Sequence, residues 1–159
     1  MIKPKCTDLK LNEPTILDCD KVLAMRQEFL NTNCKFNGTC NLDLYDKYID
    51  WLAHTINQTH GTEFNNNPSS IKHTYLVTAP ENVLIGMVEI IFYYNYQSMQ
   101  QCAHIVECIR PTCRRQSFGK PLLKKAIQEC CAFGIAKQNI SFERNSKASN
   151  DTMNKITDF

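Results

Sequence analysis

The chain has 159 residues, 43% of them hydrophobic and 21% charged, with a formal net charge of +2. That is about one ordinary domain, long enough to bury a core, and its charge is too small to imply a nucleic acid or a membrane surface as partner. No apolar run approaches the roughly 18–20 residues of a membrane span, because the longest, residues 83–94, is broken by Gly86 and Glu89.

The first thirteen residues read as a polar arm to a single domain covering residues 1–159. From Asp18 the pattern turns helical, with Asp18 and Asp20 as candidate caps and Val22, Met25, Phe29 and Leu30 on one face. Residues 31–41 hold Gly38 and several asparagines, the composition of a loop. A second amphipathic helix places Leu44, Tyr48, Trp51, Leu52 and Ile56 on one stripe. Tyr45, Tyr48 and Trp51 fit core packing there, with an acceptor pocket as the sharper alternative. Residues 57–70 are polar, with Gly61, three consecutive asparagines and Pro68, and read as a flexible connection.

Strand patterns follow. Residues 73–79 and 83–95 flank Pro80-Glu81-Asn82 and predict a hairpin, and Gly86 marks a bulge or a close backbone approach. A strand over 104–109 stops at Pro111. A helix over 119–133 buries Leu122, Leu123, Ala126, Ile127 and Cys130, tolerates Pro121 in its first turn and ends at Gly134. A short strand over 139–142 and a weak helix from about Ala148 complete a mixed α/β (α+β) domain whose last strands are joined by a crossover helix.

Nine cysteines, with Cys130 and Cys131 adjacent, suit reduced buried thiols better than a disulfide framework. Met1-Ile2-Lys3-Pro4-Lys5 is not followed by an apolar signal core, so the cytoplasm is the expected compartment. His104, Cys108 and Cys113 lie close together, as do Cys34 and Cys40, but there is no C-x-x-C pair and no metal site is expected. Arg110, Arg114, Arg115, Lys120, Lys124 and Lys125 are accompanied by Phe118 alone, which does not make a nucleic-acid surface.

The chemistry concentrates in residues 110–121, a strand end, a basic loop and a helix start. Loop amides converging on the positive end of a helix dipole form an anion site, and a diphosphate is its natural guest. A solvated basic turn is the alternative. Arg114-Arg115-Gln116-Ser117-Phe118-Gly119 resembles the R-x-x-G-x-G/A pyrophosphate loop of the GNAT N-acetyltransferases. The longer line His104-Ile-Val-Glu-Cys-Ile-Arg-Pro-Thr-Cys-Arg-Arg-Gln-Ser-Phe-Gly is similar to a bacterial subgroup reading H-I-G-Y-x-I-R-P-S-E-R-R-K-G-Y-A. Arg26 to Leu30, Trp51-Leu52, Leu84 to Met87, Ala148-Ser149 and Thr152 also fall where that subgroup has similar residues.

The resemblance implies the GNAT fold, a mixed and mostly antiparallel sheet flanked by helices, and acetyl transfer from acetyl-CoA to an amine of a small molecule or peptide, with no metal. It implies that pantetheine lies along the 104–109 strand near Cys108 and Ile109. Pyrophosphate would rest on Gln116, Ser117, Phe118 and Gly119 with Arg114, Arg115 and Lys120 nearby, and Ser146 and Ser149 would complete the coenzyme site. Glu107 and Glu89 are the candidate bases; His104 matches the subgroup's histidine, and a satisfied core histidine is its plainer role.

Departures from the family pattern keep a second reading open, that of a weak or inactive GNAT-fold coenzyme binder or a protein-interaction module. Ser117 replaces the loop's first glycine, and Ser146 stands where the family has asparagine. No tyrosine follows Tyr96 to serve as a general acid. The family's C-terminal strand pair is expected to be missing, which would leave the 139–142 strand with an open edge suited to a second copy.

Overall fold

The computed structural model describes residues 8–60 and 70–143. Its centre is a five-stranded sheet in the order β1-β2-β3-β4-β5. The strands are β1 (Lys10–Asn12), β2 (Ser70–Ala79), β3 (Val83–Asn95), β4 (Gln100–Ile109) and β5 (Ile140–Phe142). Pairing is antiparallel except between β4 and β5, which run parallel. Helices α1 (Cys19–Asn31) and α2 (Tyr48–His60) cover one face, and α3 (Gly119–Ala132) covers the other.

Strand alternation divides the core between these faces. Leu76, Leu84, Met87 and Cys108 pack with Val22, Met25 and Phe29 of α1 and with Trp51 of α2. Val77, Ile85, Val88, Ile90 and Ile105 pack with Leu122, Ala126 and Cys130 of α3. The expected stripe of α3 is thus the buried one, and in α1 Val22, Met25 and Phe29 are buried while Leu30, expected beside them, is exposed. On the second helix Tyr48, Trp51 and Leu52 are buried as expected but Ile56 is exposed, and Leu44 lies outside the helix in the 3₁₀ turn Leu42–Leu44 and is 73% exposed.

Residues 10–12, expected within a polar arm, instead pair with Leu76, Val77 and Thr78 of β2. The segment expected to be a flexible connection contributes the last turn of α2 and the first residue of β2; its residues 61–69 lie outside the described residues. So do Ser146, Ser149 and the expected final helix.

Pro80–Asn82 makes the expected turn, with Glu81 and Asn82 at φ +65° and +61°. Gly86 meets both of its expectations. The register shifts beside it, leaving Ile85 as the extra residue between Val77↔Gly86 and Thr78↔Leu84. A Cβ on Gly86 would also lie 2.1 Å from the Cys108 carbonyl oxygen. Gly134, at φ +84°, closes α3: its N–H reaches the Cys131 carbonyl while that of Ile135 reaches Cys130.

Candidate active site

The site begins where β4 and β5 part. Their parallel pairing covers Ala103↔Ile140, His104↔Ser141 and Ile105↔Phe142. Glu143 N–H then donates to the Ile105 carbonyl at 3.0 Å. That carbonyl points towards β5, so alternation turns the amide groups of Glu107 and Ile109 to the same side, away from β3. Beyond Ile105 the described residues offer no strand partner on this side. The Ile109 carbonyl accepts from Arg114 Nε at 3.2 Å.

The basic loop continues from this edge. Arg110 N–H donates to the Ile85 carbonyl at 2.8 Å, and its guanidinium grips Glu28 of α1 through Nε at 2.7 Å and Nη2 at 2.6 Å. Glu28 also accepts from the Thr112 hydroxyl at 2.9 Å and from its N–H at 3.3 Å. Burial raises the Glu28 carboxyl, but these hydrogen bonds outweigh it and hold it below the usual range. Two residues then adopt the left-handed region, Arg115 at φ +58° and Ser117 at φ +62°. Phe118 is buried under α3 and, as its N-cap residue, gives the helix no side-chain cap. Arg115, Gln116, Ser117 and Lys120 are exposed around it. Arg114 turns the other way, with Nη1 3.1 Å from Cys34 Sγ and its guanidinium over the Phe29 ring.

A cavity of about 370 Å³ adjoins the parting of the strands on the α1/α2 face. Phe36, Asn37, Gly38, Asn41 and Asp43 of the α1–α2 connection form one wall. Lys72, Glu89, Ile91, His104 and Val106 form the sheet side, and Glu143 closes it beside β5. The connection is held down by Trp51, whose Nε1 donates to the Thr39 carbonyl at 2.9 Å. Gly38, at φ +80°, lies so close to β4 that a Cβ would come 3.0 Å from the Val106 carbonyl oxygen. Asn33, Cys40 and Asn41 also take positive φ, two of them asparagines that tolerate it best.

Strand alternation separates the two candidate carboxylates. Glu89 faces the cavity, where it accepts from Cys40 N–H and lies 3.5 Å from Lys72 Nζ. Glu107 pairs with Val88 across the sheet and shares its α3 side. Burial pushes the Glu107 carboxyl up to about 7, and its Oε2 has no hydrogen-bond partner among the described residues. Cys108 is buried against the α1/α2 layer, with its thiol pushed up to about 12 by that burial. Tyr48 and Trp51 are packing residues outside the cavity lining. The sequence singled out His104, Glu89 and the loop. It missed Lys72, Glu143 and the 36–43 wall, of which Gly38 with its neighbouring asparagines was the available sign.

The sequence model of the acetyltransferase (GNAT) family matches residues 41–151. The chain belongs to the GNAT acetyltransferase family. Its fold agrees with that of solved acetyltransferases. One from Trypanosoma brucei is 15% identical, with a TM-score of 0.59, 94% of this chain covered and 91% of the other. A GNAT family acetyltransferase of Staphylococcus aureus is 13% identical at a TM-score of 0.56, covering 88% and 89%. An aminoglycoside 6'-N-acetyltransferase of Acinetobacter baumannii is 14% identical at 0.53, covering 95% and 90%. No curated protein matches the sequence. In this GNAT chain, no helix among the described residues is long and apolar enough to cross a membrane.

Proposed function

We propose that the chain transfers an acetyl group from acetyl-CoA to a primary amine bound in the cavity. The observation that carries this reading is the conjunction at the end of the paired β4–β5 segment: a β4 edge with no strand partner among the described residues, a helix N-terminus not capped by its N-cap side chain at one end of it, and a cavity with three carboxylates at the other.

The residues present suit the coenzyme. The edge at Glu107 and Ile109 offers amide groups to an extended pantetheine arm, beside the buried Cys108. The bend made by Arg115 and Ser117 turns the backbone of Gln116, Ser117, Phe118 and Gly119 over the start of α3, where amides and helix dipole favour a pyrophosphate. Arg115 and Lys120 supply positive charge; Arg114 joins them once it leaves Ile109 and Cys34. Ser146 and Ser149 remain part of the proposed coenzyme site by family resemblance.

The thioester supplies the acetyl group, and the protein holds an amine against it and receives a proton. Asp43, Glu89 and Glu143 against Lys72 give the cavity a negative balance, which draws in a protonated amine. Glu89, tied to Cys40 and Lys72, holds the cavity wall in place. Glu107 stands at the coenzyme edge on the opposite face. Polyamines, amino sugars, free amino acids and peptide N-termini all present the required amine.

The test is mass-spectrometric detection of acetylated product from acetyl-CoA with spermidine, kanamycin, L-lysine or an unblocked tetrapeptide, alongside calorimetric titration of acetyl-CoA. Coenzyme binding with one amine acetylated supports the proposal. Absence of acetyl-CoA binding at millimolar concentration would sink it.

A further inference from the structure

His104 is anchored to β5 through one ring nitrogen and has the other near Glu143 in the cavity lining. His104 and Ser141 are register partners one rung before β4 and β5 part. His104 Nδ1 and Ser141 Oγ are 2.8 Å apart, and Ser141 Oγ donates to the Ala103 carbonyl at 3.4 Å. A serine hydroxyl has one proton to give. Given to Ala103, that proton leaves Oγ accepting from the imidazole, with the hydrogen on Nδ1 and the lone pair on Nε2; given to Nδ1, it leaves the hydrogen on Nε2. Nε2 lies 4.0 Å from Glu143 Oε2, and both residues line the cavity.

On the acetyl-transfer reading above, we propose that His104 Nε2 takes the proton of the acceptor amine, with Ser141 fixing the tautomer and Glu143 stabilising the imidazolium. The protonated amine gives one proton to Nε2 and attacks. Its nitrogen bonds the acetyl carbon as the carbon–sulfur bond breaks. The second ammonium proton goes to the departing thiolate, giving the free thiol, and the imidazolium returns its proton to solvent.

The surroundings single out this ring. Glu89 of β3 is engaged by Cys40 N–H and Lys72 of β2. Glu107 points to the α3 side. Asp43, on the wall opposite the sheet, is exposed, while His104 sits where the paired strands end. Its place is fixed by backbone register, and its orientation by a hydrogen bond to the other strand. A base positioned by a third group is the arrangement that directs a lone pair at an incoming proton.

Long-range ¹H–¹⁵N correlation spectra of the histidine rings, with His104→Gln to assign the signal, test the tautomer without any knowledge of the acceptor. The expected pattern is a protonated Nδ1 and a pyridine-like Nε2, becoming a mixture in Ser141→Ala. An Nε2–H tautomer in the wild-type protein would overturn the proposal. With whichever of the four amines is acetylated, His104→Gln should lower kcat by about 10²-fold while acetyl-CoA binds within about twofold of wild type. Imidazole added to His104→Gly should restore part of the rate. Wild-type kcat in His104→Gln would contradict the assignment. Loss of acetyl-CoA binding by the wild-type protein would instead remove the acetyl-transfer reading on which it rests.

Discussion

Ser117 and Glu107 carry opposite kinds of cost. Ser117 holds φ +62° in the loop where glycine would do so freely. A side chain in that region costs roughly 1–2 kcal/mol, partly offset by the greater unfolded-state freedom of glycine. Ser117→Gly should therefore stabilise the protein by about 0.5–1 kcal/mol in urea melts and tighten acetyl-CoA binding. Ser117→Val should destabilise it. Glu107 is costly through its buried carboxylate, whose Oε2 has no partner among the described residues and whose carboxyl is pushed up to about 7. Between the ordinary glutamate range and about 7, the folded chain retains a proton that the unfolded chain has lost. Stability therefore falls as pH rises through that window and levels off above it, a loss of at most roughly 3 kcal/mol. Glu107→Gln should remove that slope in melts taken from pH 5 to 8; an unchanged slope would assign it to another group.

The elements are joined at two contacts that substitutions can probe. Glu28 ties α1 to the start of the basic loop through Arg110 and Thr112. Because its carboxyl is held low, the stability it contributes is present above the ordinary glutamate range and is lost as pH falls through the depressed value. Glu28→Gln should cost about 1–3 kcal/mol at pH 7 and weaken acetyl-CoA binding more than it changes kcat. Calorimetry and steady-state kinetics separate those effects. Gly86 is the second contact. A methyl group 2.1 Å from the Cys108 carbonyl cannot be accommodated without moving β3 from β4. Gly86→Ala should lower the melting temperature severely, by more than 3 kcal/mol in stability terms.

At the scale of the whole molecule, the parts legible in the sequence were those governed by local periodicity and punctuation. Leu122, Leu123 and Ala126 mark the buried face of α3, Gly134 its end and Pro80 to Asn82 the β2–β3 turn. Gly86 announced a close approach without naming Cys108 as the neighbour. Strand β1 was hidden because three residues are too few to show alternation, and its partner β2 lies more than sixty positions away. The cavity was less legible still. It assembles a loop wall around residues 36–43 with side chains from three strands, so no short motif encodes it. The His104–Ser141 pair depends on parallel register across the α3 crossover. The basic loop before α3 was readable because its charges and chain reversal occupy one continuous segment. Its strained Ser117 also showed in the sequence as a departure from glycine.

The measurement that bears most directly on the central claim is thermal unfolding with and without about 1 mM acetyl-CoA, for the wild-type chain and Ser117→Gly. A dissociation constant near 10 μM adds roughly 2.7 kcal/mol by mass action, or a rise of about 5–10 °C for a domain of this size. The account predicts a rise of this order in the wild-type protein and a larger one in Ser117→Gly. Unchanged melting of both proteins at millimolar acetyl-CoA would contradict it.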